Sequence, residues 1–217
     1  MYAVPTLTHD IAIVDQDFKL IDSWKGHTGR VTSVIRLHDG RIASSGFDQN
    51  VFIWPDQVFH VGPHIQALYQ LVPEFLIIIR RQSISQLDLS SGLMEHFNLE
   101  VNAITKTLKR KNGTIVLGCN NGAIYQFNGD DLRVLYHPCG DIVRCMTEKL
   151  GVLFFTNGSM LSDEYGQHFC EHDITHLSGS HGGEIIIGQS TSITRKGVTV
   201  YFESKIEGLK SLSSGDI

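Results

Sequence analysis

WKGHTGRVTSVIRLHDGRIASSGFDQNVFIW, running from Trp24 to Trp54, is the stretch on which the fold turns. It holds an alternating run, Val31-Thr32-Ser33-Val34, then Asp39-Gly40, then Ile42-Ala43-Ser44, and finally Val51-Phe52-Ile53-Trp54. β-Branched and aromatic residues suit a pleated, half-buried surface. Asp-Gly is a dipeptide of tight hairpins, whose two central positions take positive φ. The stretch therefore predicts three short antiparallel strands joined by turns.

Working outward, the first of these runs recurs. Its pattern is a polar residue, an aliphatic, one or two small or polar residues, then another apolar residue. It is found at Arg30–Val34, His64–Leu68, Glu100–Ile104, Asp141–Cys145, Asp173–Leu177 and Gly208–Leu212. The first aliphatics stand at 31, 65, 101, 142, 174 and 209, giving spacings of 34, 36, 41, 32 and 35. Asn112-Gly113 leads into Thr114–Gly118 and Gly182-Gly183 into Glu184–Gly188, as Asp39-Gly40 leads into Arg41–Ser45. A period in the thirties with strand-like contents predicts propeller blades of four antiparallel strands each.

The chain ends fit that expectation. The last unit supplies an inner strand and a turn, while Tyr2–Leu7, Asp10–Val14 and Lys19–Trp24 read as the three strands it lacks. The sequence thus predicts one all-β domain, a six-bladed β-propeller whose N-terminal strands join the C-terminal inner strand to close the ring. Its blades fall at 27–62, 63–99, 100–140, 141–172, 173–207, and 208–217 completed by 1–26. Closure of this kind leaves no broken blade with an exposed sheet edge.

Gly26-His27, Val31, Ser33, Val34, Asp39-Gly40, Ile42-Ala43-Ser44, Asp48 and Val51–Trp54 together resemble one complete repeat of the WD-repeat propeller family. The resemblance implies a structural hydrogen-bonded tetrad, Trp54 to Ser44, Ser44 to His27 and His27 to Asp48. No other unit repeats the Gly-His, and Leu87 and Phe127 stand where a blade tryptophan would be. Asn112–Gly118 followed by Asn121–Ile124 is also similar to the ubiquitin-binding propellers of segregase adaptor proteins.

The family places the starts of the inner strands around the mouth of a central channel. Carried over, that position gives Arg30, His64, Glu100, Asp141, Asp173 and Gly208, with Thr32, Gln66, Asn102 and Lys210 two residues further on. A basic side at Arg30 and His64 then faces an acidic side at Glu100, Asp141 and Asp173. Such a ring suits either a partner carrying a basic segment or a merely solvated channel mouth. Phe47, at a hairpin tip before Asp48, is the candidate partner-contacting aromatic.

Two other chemistries have partial support in the sequence. His168, Cys170 and His172 alternate along an expected strand, share one face and are zinc-competent ligand types, with His176 beyond. Their spacing is not that of the usual structural zinc sites, and a polar outer strand explains them equally well. Propeller hydrolases place carboxylates and histidines at a channel centre, but no Gly-x-Ser-x-Gly and no assigned nucleophile–base pair is present. The expectation is a non-catalytic protein- or peptide-binding scaffold or adaptor within a hetero-complex, with no cofactor. A ubiquitin- or peptide-binding propeller and a hydrolase or metal-dependent enzyme are the alternatives.

Composition sets the outer bounds. The chain has 217 residues, a formal charge of −5 and 41% hydrophobic residues. A net acidic chain disfavours direct nucleic-acid binding, which needs a concentrated basic stripe. Lys106, Lys109, Arg110 and Lys111 make the densest basic run, read as a solvated turn ending in Asn-Gly. No apolar run approaches the roughly 18 residues of a membrane span, and the longest, Phe75–Ile79, reads as a buried strand. With no signal-like segment and four unpaired cysteines, a cytoplasmic or nuclear location is expected.

Overall fold

The alternating runs become strands. A computed structural model describes residues 1–97, 101–137, 140–158, 160–166, 168–171, 174–179, 185–189, 192–195 and 198–201. The described residues contain strands and turns and no helix. They resolve into two compact units, Met1–Glu100 and Val101–Ile217.

The first unit holds three antiparallel sheets. Strands β1 (Tyr2–Pro5), β2 (Ile11–Val14) and β3 (Leu20–Trp24) form a three-stranded sheet. A four-stranded sheet follows, made of β4 (Val31–Arg36), β5 (Ile42–Gly46), β6 (Asn50–Trp54) and β7 (Gln57–His60). The third contains β8 (Ile65–Gln70), β9 (Phe75–Arg80), β10 (Ile84–Asp88) and β11 (Met94–Phe97). The second unit repeats the plan. Its sheets are β12 (Ile104–Lys109) to β15 (Leu132–Tyr136), β16 (Val143–Lys149) to β19 (His168–Glu171), and β20 (Ile174–Gly179) to β23 (Val198–Tyr201).

Within each unit the cores lie between neighbouring sheets. Leu37, Val51 and Ile53 of the second sheet cluster with Ile65, Leu76, Ile78 and Leu87 of the third. Ile11 and Ile13 of the first sheet pack with Val31, Ile42 and Trp54 of the second. In the second unit Val116 and Ile124 meet Val143, Leu153 and Phe155. The expected buried strand Phe75–Ile79 has Leu76 at 0% and Ile77 at 1% exposure.

The turns are of a different kind from the expected one. Gly40 and Gly113 have φ of 91° and 88°, but Asp39 and Asn112 keep negative φ. Gly40 donates its N–H to Leu37 and Gly113 to Arg110, each at 3.0 Å. That is a type I turn closed by a left-handed glycine, the usual longer hairpin loop. The two-residue loop with positive φ at both positions is Leu150-Gly151, at 49° and 80°.

Register corrects the repeat frame. Each four-stranded sheet has a bulge at the start of its inner strand, after Val31, Ile65, Ile104, Val143 and Ile174. The structural spacings are therefore 34, 39, 39 and 31, with Ile104 and Val143 in the places that the sequence pattern gave to Val101 and Ile142. The cause is local. Val101 and Ile104 both fit the aliphatic slot, as do the adjacent Ile142 and Val143, and only cross-strand pairing distinguishes them.

Candidate functional site

The loop into β4 and the turn between β5 and β6 are tied together by one buried chain of hydrogen bonds. Trp54 Nε1–H donates to Ser44 Oγ at 2.8 Å, and Ser44 Oγ lies 2.9 Å from His27 Nε2. His27 Nδ1 lies 2.9 Å from Asp48 Oδ2. One assignment satisfies every donor: Ser44 O–H donates to Nε2, and Nδ1–H donates to the carboxylate. Asp48 also accepts the N–H groups of Thr28 at 2.9 Å and Asn50 at 3.3 Å. The His27 and Asp48 side chains are 0% and 3% exposed.

These residues also have the composition of a Ser-His-Asp hydrolase triad, but not its access. Ser44 is 0% exposed, and its oxygen already receives the indole N–H. A nucleophile must reach substrate, and this hydroxyl is enclosed between Trp54 and His27. The thiols are equally withdrawn. Burial pushes Cys119 up to about 11 and also raises Cys145. Since the thiolate is the reactive form, alkylation of the native protein at pH 8 should leave Cys119 and Cys145 unmodified by peptide mass mapping. Unfolding in denaturant should expose both to rapid modification.

At the strand ends the corrected register decides which residues are equivalent. Phe47 N–H donates to Arg30 O at 2.8 Å, Arg81 to His64 at 3.2 Å, Asn120 to Ala103 at 2.9 Å and Gly158 to Ile142 at 3.2 Å. The counterparts of Arg30 and His64 in the fourth and fifth sheets are therefore Ala103 and Ile142. Two of the three expected acidic positions, those of Glu100 and Asp141, shift accordingly, while position 173 still precedes Ile174. Asp141 is exposed one residue before Ile142, and Asn102 is exposed before Ala103. Glu100, Asp173 and Lys210 lie outside the described residues, as do His172 and the side chains of His168 and Cys170. Among the described residues no group of three or more His, Cys, Asp or Glu side chains could hold a metal ion.

Arg30, Phe47 and His64 are all exposed, Phe47 at 63%. Sequence reasoning missed Arg81, which stands to His64 as Phe47 stands to Arg30. Aligning Ile42–Gly46 with Leu76–Arg80 would have found it. The opposite end of the third sheet carries a groove of ≈ 290 Å³ lined by Phe75, Gln86, Asp88, Leu93, Met94 and Glu95. There the hydroxyl and N–H of Ser90, with those of Ser91, hold the Asp88 carboxyl down to about 2.

The chain matches no protein-family model and no curated protein. Solved structures do resemble it. A catalytically inactive virginiamycin B lyase from Staphylococcus aureus, crystallised with quinupristin, superposes with a TM-score of 0.68 at 10% identity, covering 94% of this chain and 84% of that one. The computationally designed protein Ika8 gives a TM-score of 0.68 at 14% identity, over 95% and 73% of the two chains. The extracellular domain of a hybrid two-component system from B. thetaiotaomicron gives 0.64 at 11% identity, over 95% of this chain and 34% of that one. Such low identities speak to architecture alone: an all-β fold of repeated antiparallel sheets, propeller-like in its neighbours.

Proposed function

We propose that this chain is a WD-repeat propeller of six blades that works as a non-catalytic adaptor, presenting loop residues to protein partners within a hetero-complex. The observation carrying the reading is Phe47. This aromatic is 63% exposed, yet its turn is anchored on both sides. Its N–H is bonded to Arg30 O, and the next side chain, Asp48, is locked into the buried relay. A large exposed aromatic on a rigid turn costs little ordering entropy to bury, which is how interface hot spots act.

Six blades and ring closure are part of the proposal. The three-stranded sheet of β1–β3 is one strand short of its companions and exposes Tyr2, Val4 and Leu20. Residues 208–217, with the aliphatics Leu209 and Leu212, are the segment of matching pattern that would complete it.

The test is affinity purification from the native cell. Stoichiometric partners that vanish with Phe47→Asp, in a variant that melts like the wild type, are the expected result. A protein that emerges alone, or keeps every partner in the variant, would overturn the adaptor reading at this site.

A further inference from the structure

We infer that the end of the first unit bearing Arg30, Phe47, His64 and Arg81 docks an acidic peptide segment, with the two guanidinium groups pairing carboxylates around Phe47; this rests on the adaptor reading and names its partner's chemistry.

The two sheets holding these residues share one orientation. Three bonds join them in step: Arg80 Nη1–H to Val61 O at 2.8 Å at this end, Leu68 N–H to Ser33 Oγ at 3.2 Å midway, and His38 N–H to Gln70 Oε1 at 2.7 Å at the other. The starts of β4, β6, β8 and β10 and the finishes of β5, β7, β9 and β11 therefore lie together.

The carboxylates are segregated along that axis, outnumbering Arg36 and Arg41, which share their end. Residues 27–97 contain six carboxylates, and five of them, Asp39, Asp56, Glu74, Asp88 and Glu95, lie toward the far end. The sixth, Asp48, is consumed by His27 inside the relay. The near end presents Arg30 and Arg81 with the exposed imidazoles of His60, His64 and His96. Strands of five or six residues separate the two ends by about 17–20 Å. That exceeds the Debye length of about 8 Å at physiological salt, so the far carboxylates leave the near end positive.

The expectation of a basic partner rested on Glu100, Asp141 and Asp173; Ala103 and Ile142 hold two of those three places, and Asp173 lies outside the described residues. A peptide fits better than nucleic acid: two exposed guanidinium groups beside one aromatic are too short a stripe to track a phosphate backbone on a chain of net charge −5. An extended acidic segment can place alternate carboxylates on the two arginines and lay an apolar side chain on Phe47.

The test is fluorescence anisotropy with a short fluorescein-labelled peptide of alternating Glu and Asp around one Leu, alongside its Lys-substituted counterpart and oligouridylate. The full chain should bind the acidic peptide, more weakly as salt rises, and ignore the Lys peptide. Arg30→Glu combined with Arg81→Glu should weaken binding at least about tenfold, as charge reversal across a complementary surface does. Glu74→Lys with Glu95→Lys, at the far end, should leave it unchanged. Absence of binding, equal binding by the Arg30→Glu/Arg81→Glu variant with an unaltered melt, or comparable binding of oligouridylate would overturn the inference. If the peptide fails while partners still co-purify and are lost with Phe47→Asp, the charge assignment falls and the adaptor reading stands.

Discussion

Asp48→Ala is expected to destabilise the protein by about 3–5 kcal/mol, since each buried donor left without its acceptor costs about 1–3 kcal/mol. The carboxylate is 3% exposed and accepts from His27 Nδ1, Thr28 N–H and Asn50 N–H. Alanine leaves all three donors without an acceptor, and the cavity is closed over by the 0%-exposed imidazole. Asp48→Asn should cost less. It keeps one oxygen but turns an amide N–H toward a backbone donor, so about 2 kcal/mol is expected, the cost of one buried unsatisfied group. Trp54→Phe keeps a ring against Phe52, 5.1 Å between centroids, and loses the indole donor to Ser44 with part of the packing against Trp24. About 1–2 kcal/mol is expected there. Denaturant titration of the three variants should give that order. Asp48→Ala costing less than Trp54→Phe would show that the relay does not anchor the Phe47 turn.

The relay was legible only through the resemblance of Trp24–Trp54 to one propeller repeat, which assigns His27, Ser44, Asp48 and Trp54 to a single tetrad. What it could not carry was the clearance around them. A Cβ at Gly46 would sit 2.8 Å from His27 Nδ1 and 2.9 Å from Asp48 Oδ1, and one at Gly29 2.8 Å from Asp48 N. Those glycines are demanded by close approach, which composition does not signal. Strand content was legible because period-two alternation survives divergence. Register was not, since Val101 or Ile104, and Ile142 or Val143, satisfy the same pattern while only one of each is bonded across the sheet. That slip gave Glu100 and Asp141 the places that Ala103 and Ile142 hold in the strand register. The basic run at Lys106–Lys111 shows a second kind of limit. Lys106, Lys109 and Lys111 are exposed as expected, but Arg110 is buried at 8%. A short charge run is solvated only where no countercharge waits in a neighbouring sheet.

Arg110 and Glu164 provide the other large expected effect. Arg110 closes the turn after β12, donating its N–H to Thr114 O at 2.8 Å as Leu37 donates to Arg41 O in the second sheet. The two are equivalent, yet Leu37 lies in an apolar cluster with Leu87, and Arg110 reaches Glu164 at 2.8 and 3.1 Å. Glu164 N–H pairs with Leu153 O, so it holds in the fifth sheet the place of Leu87 in the third and Trp54 in the second. The second and third sheets are joined by an apolar contact and the fourth and fifth by a buried ion pair at corresponding positions. Arg110 further donates to Gly151 O and has Glu148 at 3.9 Å. Arg110→Leu leaves Glu164, 11% exposed, without its guanidinium, while Glu148 keeps the Lys111 N–H at 2.8 Å, and should cost about 3–5 kcal/mol. Glu164→Leu leaves a buried guanidinium with Gly151 O and the distant Glu148 and should cost a similar amount. Replacing both with leucine restores the chemistry of the Leu37–Leu87 cluster, and exchanging a buried ion pair for apolar packing is often neutral. The double variant should be more stable than either single variant by about 2 kcal/mol or more, a coupling that a double-mutant cycle reads directly. Additive losses would mean that Arg110 acts chiefly through Gly151 and the turn, and that the pair is not what holds these two sheets in register.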